Sequence, residues 1–119
     1  MSTLQRKNMN TPDETRSFPQ GSFNIVRLGD FAIASSAFQP GWRWSEHVKP
    51  LVGTESCQTH HRGYIVSGRM GVRMDDGAEM EFGPGDVYEI PSGHDGWVVG
   101  NEPMIGLEIS GAEVFAKPQ

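Results

Sequence analysis

The chain has 119 residues and a formal net charge of -5, which suits one small domain with one core and is the wrong sign for neutralising nucleic-acid phosphates or binding anionic lipid. Hydrophobic residues make up 36%, and the 15 glycines and 8 prolines fit many short strands joined by tight turns and exclude an architecture of long helices. A single cysteine cannot close an intrachain disulfide, and no apolar run approaches the roughly 18 residues of a membrane helix.

Residues 1 to about 20, "MSTLQRKNMNTPDETRSFPQ", are polar, mix both charge signs and show neither helical nor strand periodicity. They read as a flexible tail, with residues 21–119 as the folded domain. The stretch has no apolar centre of the signal-peptide kind, so cytoplasmic residence is the expectation. From Gly21 onward, short apolar segments alternate with turn signals. "SFNIVRLGD" and "FAIASSAFQPG" open the series. Tyr64–Val66, Gly71–Met74, Ala78–Phe82, Val87–Ile90, Trp97–Val99 and Ile105–Ile109 follow as predicted strands. Glycine in "VSGRM" and "MDDGAEM" and Gly-Pro pairing in "GPGD" mark the reversals. Asp75-Asp76-Gly77 reads as a type I′ hairpin turn, and alternation turns Met80 and Phe82 inward with Glu79 and Glu81 in water. So many short strands need more of their kind to cover them, which predicts an all-β antiparallel barrel or sandwich.

Between the first and second groups of strands lies "PGWRWSEHVKPLVGT", residues 40–54, with two tryptophans, His47, and Pro50 limiting strand pairing. It reads as a long loop over one mouth of the barrel, either as a cover or as a substrate lid.

The segment "GPGDVYEIPSG" resembles the second motif of the cupin family, a glycine, five residues, then Pro-x-Gly, here Gly85, Pro91 and Gly93. The first cupin motif can be laid on Glu55, Cys57, His61 and Gly68, of which only the glycine matches outright. The family's metal is usually held by three histidines and a glutamate. The histidine of the second motif would fall on Gly96, with His94 two residues early, and the closing asparagine on Gly100, one place before Asn101. With "PGWRWSEHVKP", "GTESC", "GYIVSGRM" and "PSGHDGWVVGNEP", the chain is similar over residues 24–117 to a subgroup of small bacterial cupins, alone or fused to signalling modules and mostly without assigned activity. The resemblance implies a small antiparallel, jelly-roll-like β-barrel of the kind that commonly pairs into a homodimer.

In an extended strand Glu55, Cys57 and His61 share one face and His60 points to the other. Thiolate, imidazole and carboxylate are donors that suit Zn²⁺ among common divalent ions. His94 would complete the set from the opposing hairpin, with Glu55 or water as the fourth ligand and His47 in reserve. The competing reading is packing, since an unpaired cysteine behaves as a small hydrophobe and His61 as a hydrogen-bonded core residue. Cys57 as a covalent nucleophile beside His61 is a third. Trp44, His47, Tyr64, Glu89 and Trp97 are the expected pocket residues, Glu89 as a partner to His94. Taken with the resemblance, the residues imply a cupin-type protein that binds a divalent metal, zinc by preference, and a small polar or anionic molecule as a binding or sensory module. A metal-dependent dioxygenase, isomerase or lyase is the alternative, and a metal-free dimeric scaffold the third.

Overall fold

The protein was analysed as a computed structural model that describes residues 3–110; the end of the expected domain, residues 111–119, lies outside the described residues. Nine strands run in chain order as β1 (Glu14–Phe18), β2 (Gly21–Leu28), β3 (Phe31–Phe38), β4 (His61–Ser67), β5 (Arg69–Met74), β6 (Glu79–Phe82), β7 (Val87–Ile90), β8 (His94–Val99) and β9 (Met104–Ser110). They form two antiparallel sheets of order β1-β2-β3-β9-β4-β7 and β6-β5-β8. After β4 the chain crosses to the small sheet, returns for β7, crosses for β8 and returns for β9. Each crossing buries one strand face against the other sheet, and this all-β, jelly-roll-like exchange places the core between them. Phe23, Ile25, Ile65 and Met104 of the large sheet meet Val72 and Val98 of the small one there.

Gly68 makes the β4 to β5 crossing possible. Its φ is +76°, and a Cβ at this position would run into the carbonyl of Pro103, so both the backbone angle and the space require glycine. This is the one residue of the first motif that matches outright.

Several local expectations change. Glu14–Phe18, inside the stretch read as a flexible tail, is β1 and pairs with β2 from Glu14 opposite Ile25 to Phe18 opposite Gly21. Phe18 supplies the burial that the polar composition hid, packing 5.8 Å from Phe38 and 6.3 Å from Trp42 between ring centroids. Within residues 40–54 two single-turn helices form, α1 (Trp44–His47) and α2 (Lys49–Val52). Asp95 of β8 clasps this segment, accepting from Ser45 N at 3.0 Å, Ser45 Oγ at 2.8 Å and Arg43 Nη1 at 3.1 Å. Gly77 has φ +96° while Asp75 and Asp76 have negative φ, and Gly77 N donates to Met74 O. The turn is therefore type I followed by a left-handed glycine, not type I′. Met80 lies opposite Val72 and shares its side of the sheet, yet it stays 62% exposed because β6 is an edge strand with no strand beyond it.

Candidate metal centre

Cys57 lies outside the strands, but its backbone is tied to the start of β8. Cys57 N donates to His94 O at 2.7 Å, and His94 N to Cys57 O at 3.2 Å. This bridge sets the two side chains next to each other. His61 opens β4 opposite Ile90 of β7, with its ring centroid 5.2 Å from that of His94. One donor atom from each of Cys57, His61 and His94 falls within 4.8 Å of the others, and all three residues are buried. Such a trio can hold a metal ion.

Each histidine is oriented by a partner on its far nitrogen. His94 Nδ1 donates to the carbonyl of Pro91 at 2.8 Å; a carbonyl only accepts, so Nδ1 carries a proton and Nε2 is the nitrogen that a metal ion could use. His61 Nδ1 donates to Glu108 Oε2 at 2.9 Å, so its Nε2 faces Cys57 Sγ at 3.7 Å. The other oxygen of Glu108 accepts from the Tyr88 hydroxyl at 2.6 Å. A buried carboxylate behind a ligating imidazole is the arrangement that fixes ring orientation and raises ligand basicity.

The same contacts set the charges. Burial pushes the Cys57 thiol up, but hydrogen bonds and charge from His61 and His94 outweigh it and bring it from 9.0 to about 6. Burial pushes His61 down, yet the charge of Glu108 and the hydrogen bonds from Cys57 and Glu108 lift it from 6.5 to about 9. Tyr88 is pushed up, first by burial and then by Glu108, and stays a neutral donor. The metal-free trio is thus a thiolate facing an imidazolium, the state from which a metal ion displaces a proton.

A cavity of about 30 Å³ opens beside the donors. His61, His94, Tyr88 and Glu108 are among its polar lining residues, and Phe23, Val72 and Met104 among the apolar ones. Gly96, where the second motif would place a histidine, also lines it, and the Trp42 ring fills the adjoining space, 4.0 Å from where a Cβ on Gly96 would stand.

Of the other residues expected at the site, only Trp44 lines the cavity. The Glu55 side chain is fully exposed and pairs with Lys49 Nζ at 3.4 Å. Residues 53–60 are not a strand, so the two-residue parity that would have aligned Glu55 with Cys57 does not apply. His47 sits on α1, its Nδ1 accepting from Arg43 N at 3.0 Å. Tyr64 faces outward at 43% exposure. Glu89 is exposed and bound to His60 and Arg62, not to His94. Trp97 carries the Arg43 guanidinium 4.6 Å above its ring. Glu108 and Trp42 were not among the expected residues. The signal for Glu108 is a charged residue at the parity of Met104 and Gly106, both buried.

No protein-family model and no curated protein matches the chain. Solved structures do. A protein of unknown function from Rhizobium leguminosarum aligns at TM-score 0.64 and 18% identity, covering 98% of this chain and 99% of its own. The polyketide cyclase RemF from Streptomyces resistomycificus aligns at TM-score 0.63 and 18% identity over 92% of this chain and 80% of its own. The oxalate decarboxylase of Lactobacillus farciminis, solved as a formate complex, aligns at TM-score 0.60 and 22% identity over 89% of this chain; the chain spans only 31% of that enzyme. The chain has the cupin fold.

Proposed function

We propose that this protein is a metal-binding cupin whose Cys57, His61 and His94 hold a divalent ion, with zinc the ion the donors suit best, and that it serves as a small-molecule-binding or sensory module. The observation that carries the reading is the meeting of three buried donors whose two imidazoles are each turned toward the thiolate by a far-side partner. One soft sulfur and two nitrogens favour Zn²⁺ over ions that prefer oxygen. A fourth position falls to water or a ligand, since Glu55 stands away from the trio. An uncombined thiol as ligand fits a reducing compartment such as the cytoplasm, and the net charge of -5 fits a small-molecule partner better than a nucleic acid.

Metal analysis of full-length protein purified without a histidine tag tests this reading. About one equivalent of zinc per chain is expected, falling severalfold in Cys57→Ser; less than about a tenth of an equivalent in the parent protein would remove the metal.

A metal-dependent enzyme of the dioxygenase, isomerase or lyase type is the second reading. Tyr88 and Glu108, joined at 2.6 Å and both lining the cavity, favour it as a proton-handling pair. A decarboxylase and a cyclase among the fold's neighbours are in line with it, while the thiolate argues against the iron dioxygenase version. Turnover of a small oxygenated compound that disappears on metal removal would favour the enzyme over the sensor.

The chain also has the features of a homodimer. Val87, Tyr64 and Leu107 are cross-strand neighbours on the outer face of the large sheet, and with Val66 and Ile109 they leave an exposed, mostly apolar surface of the kind that pairs with a second copy.

A further inference from the structure

We infer that residues 42–53 form a hinged lid over the cavity, latched to β8 by Asp95 and Trp97, and that its opening is the step that lets an ion reach Cys57, His61 and His94. What passes the lid rests on the metal reading above; the motion itself does not.

The segment stands between the cavity and water. Trp42 and Trp44 line the cavity and are 3% and 2% exposed, and Val48, between α1 and α2, is fully buried. Glu46, Pro50 and Leu51 on the opposite side are exposed.

Its hold on the barrel is uneven. The first residues are fastened to β8: Val98 N donates to Trp42 O at 3.0 Å, Arg43 and Ser45 donate to Asp95, and the Arg43 guanidinium lies over the Trp97 ring. That ring is itself seated on Gly71, where a Cβ would come within 2.5 Å of it. From Glu46 to Gly53 the backbone bonds turn back into the segment instead. Glu46 N and His47 N donate to Arg43 O, Val48 N to Trp44 O, Leu51 N and Val52 N to Val48 O, and Gly53 N to Lys49 O. Among the described residues, none of 46–53 hydrogen-bonds to either sheet. Two single turns that lean on the barrel only through buried side chains can open before the domain unfolds. Glycines with positive φ bound the segment, Gly41 at +93° and Gly53 at +75°, and absorb the rotation that a hinge needs.

The latch sits back to back with the site. Alternation along β8 sets Asp95 and Trp97 on its outer side and His94, Gly96 and Val98 on its buried side. Neither Arg43 nor Ser45 is among the donors, so loosening the latch changes the path to the ion and not the ion's ligands.

The test mixes full-length, metal-free protein with zinc in a stopped-flow instrument and then follows zinc release to a chelator. In the parent protein uptake should level off as zinc is raised, because opening becomes limiting. Arg43→Gln combined with Ser45→Ala should quicken uptake and release together by about tenfold or more, leaving the equilibrium affinity as it was. A parent uptake that climbs in proportion to zinc without a plateau, or a variant that leaves both rates unchanged or alters release alone, overturns the inference and leaves the metal reading standing. Protein that takes up no zinc removes the metal reading, and hydrogen exchange then decides. Peptides spanning residues 43–53 should exchange about tenfold faster in the double variant than in the parent, with β2 and β3 unchanged, and equal rates overturn the lid. Should the double variant not fold, Ser45→Ala alone takes its place.

Discussion

At the residue scale, Cys57 and His61 hold a proton where the ion would sit, and this fixes the pH behaviour of the metal-free protein. His61, raised to about 9, adds stability that is full below its ordinary 6.5 and lost as pH rises through 9. Cys57, lowered to about 6, adds stability that is full above its ordinary 9.0 and lost as pH falls through 6. Both contributions are largely present between those limits, so the Tm of metal-free protein should be highest there and fall on either side. The ultraviolet absorbance of the thiolate should titrate near pH 6, and His61→Gln should move that titration upward; an unchanged midpoint would separate the two groups. Glu108 would act on a bound ion through His61, whose Nδ1 it holds. Glu108→Gln should weaken zinc binding about 10- to 100-fold in a chelator competition, with the fold retained by circular dichroism. Cys57, His61 and His94 could be picked out by donor type, but strand parity does not explain their meeting, because Cys57 lies outside the strands and is placed by its bridge to His94. Glu55 could not be excluded that way, because its exclusion depends on residues 53–60 not extending. Glu108 lies 47 residues from His61, a pairing that no local spacing reports.

At the element scale, alternation and turn residues located β4 to β9 within a few residues of their observed ends. They failed where one side chain carried an element. β1 is polar apart from Phe18, and its pairing comes from β2 rather than from its own pattern. Phe18 is 9% exposed, and Phe18→Ala should cost about 3 kcal/mol in urea unfolding; a loss under about 0.5 kcal/mol would mean that β1 is not docked. β9 misleads in the opposite sense. Its aliphatic residues Leu107 and Ile109 face outward, and Met104, Gly106 and Glu108 face the core, so hydrophobicity alone reverses the strand. Close contacts at the crossings are equally hidden from pattern. Gly68→Ala adds a methyl against Pro103 at a positive φ and should destabilise by about 2 kcal/mol or more in the same assay.

At the scale of the whole molecule, two sheets enclose a cavity with mostly apolar walls, in which Ser36, His61, Tyr88, His94 and Glu108 are polar members. The outer face of the large sheet carries an exposed apolar patch over β4, β7 and β9, formed by Tyr64, Val66, Val87, Leu107 and Ile109. If a second copy covers that face, light scattering should give twice the chain mass, and Leu107→Lys, which is 36% exposed in one copy, should return the protein to a monomer with little change in metal content. No amount of strand prediction supplies this face, because it follows from which way β9 turns. Everything proposed for function nonetheless depends on sulfur and two imidazole nitrogens binding one ion. X-ray absorption at the zinc edge of native, untagged protein measures that directly. The account predicts one sulfur at about 2.3 Å and two imidazole nitrogens at about 2.0 to 2.1 Å, with a light atom in the remaining position. A first shell without sulfur, or one that keeps its sulfur in Cys57→Ser, would contradict it.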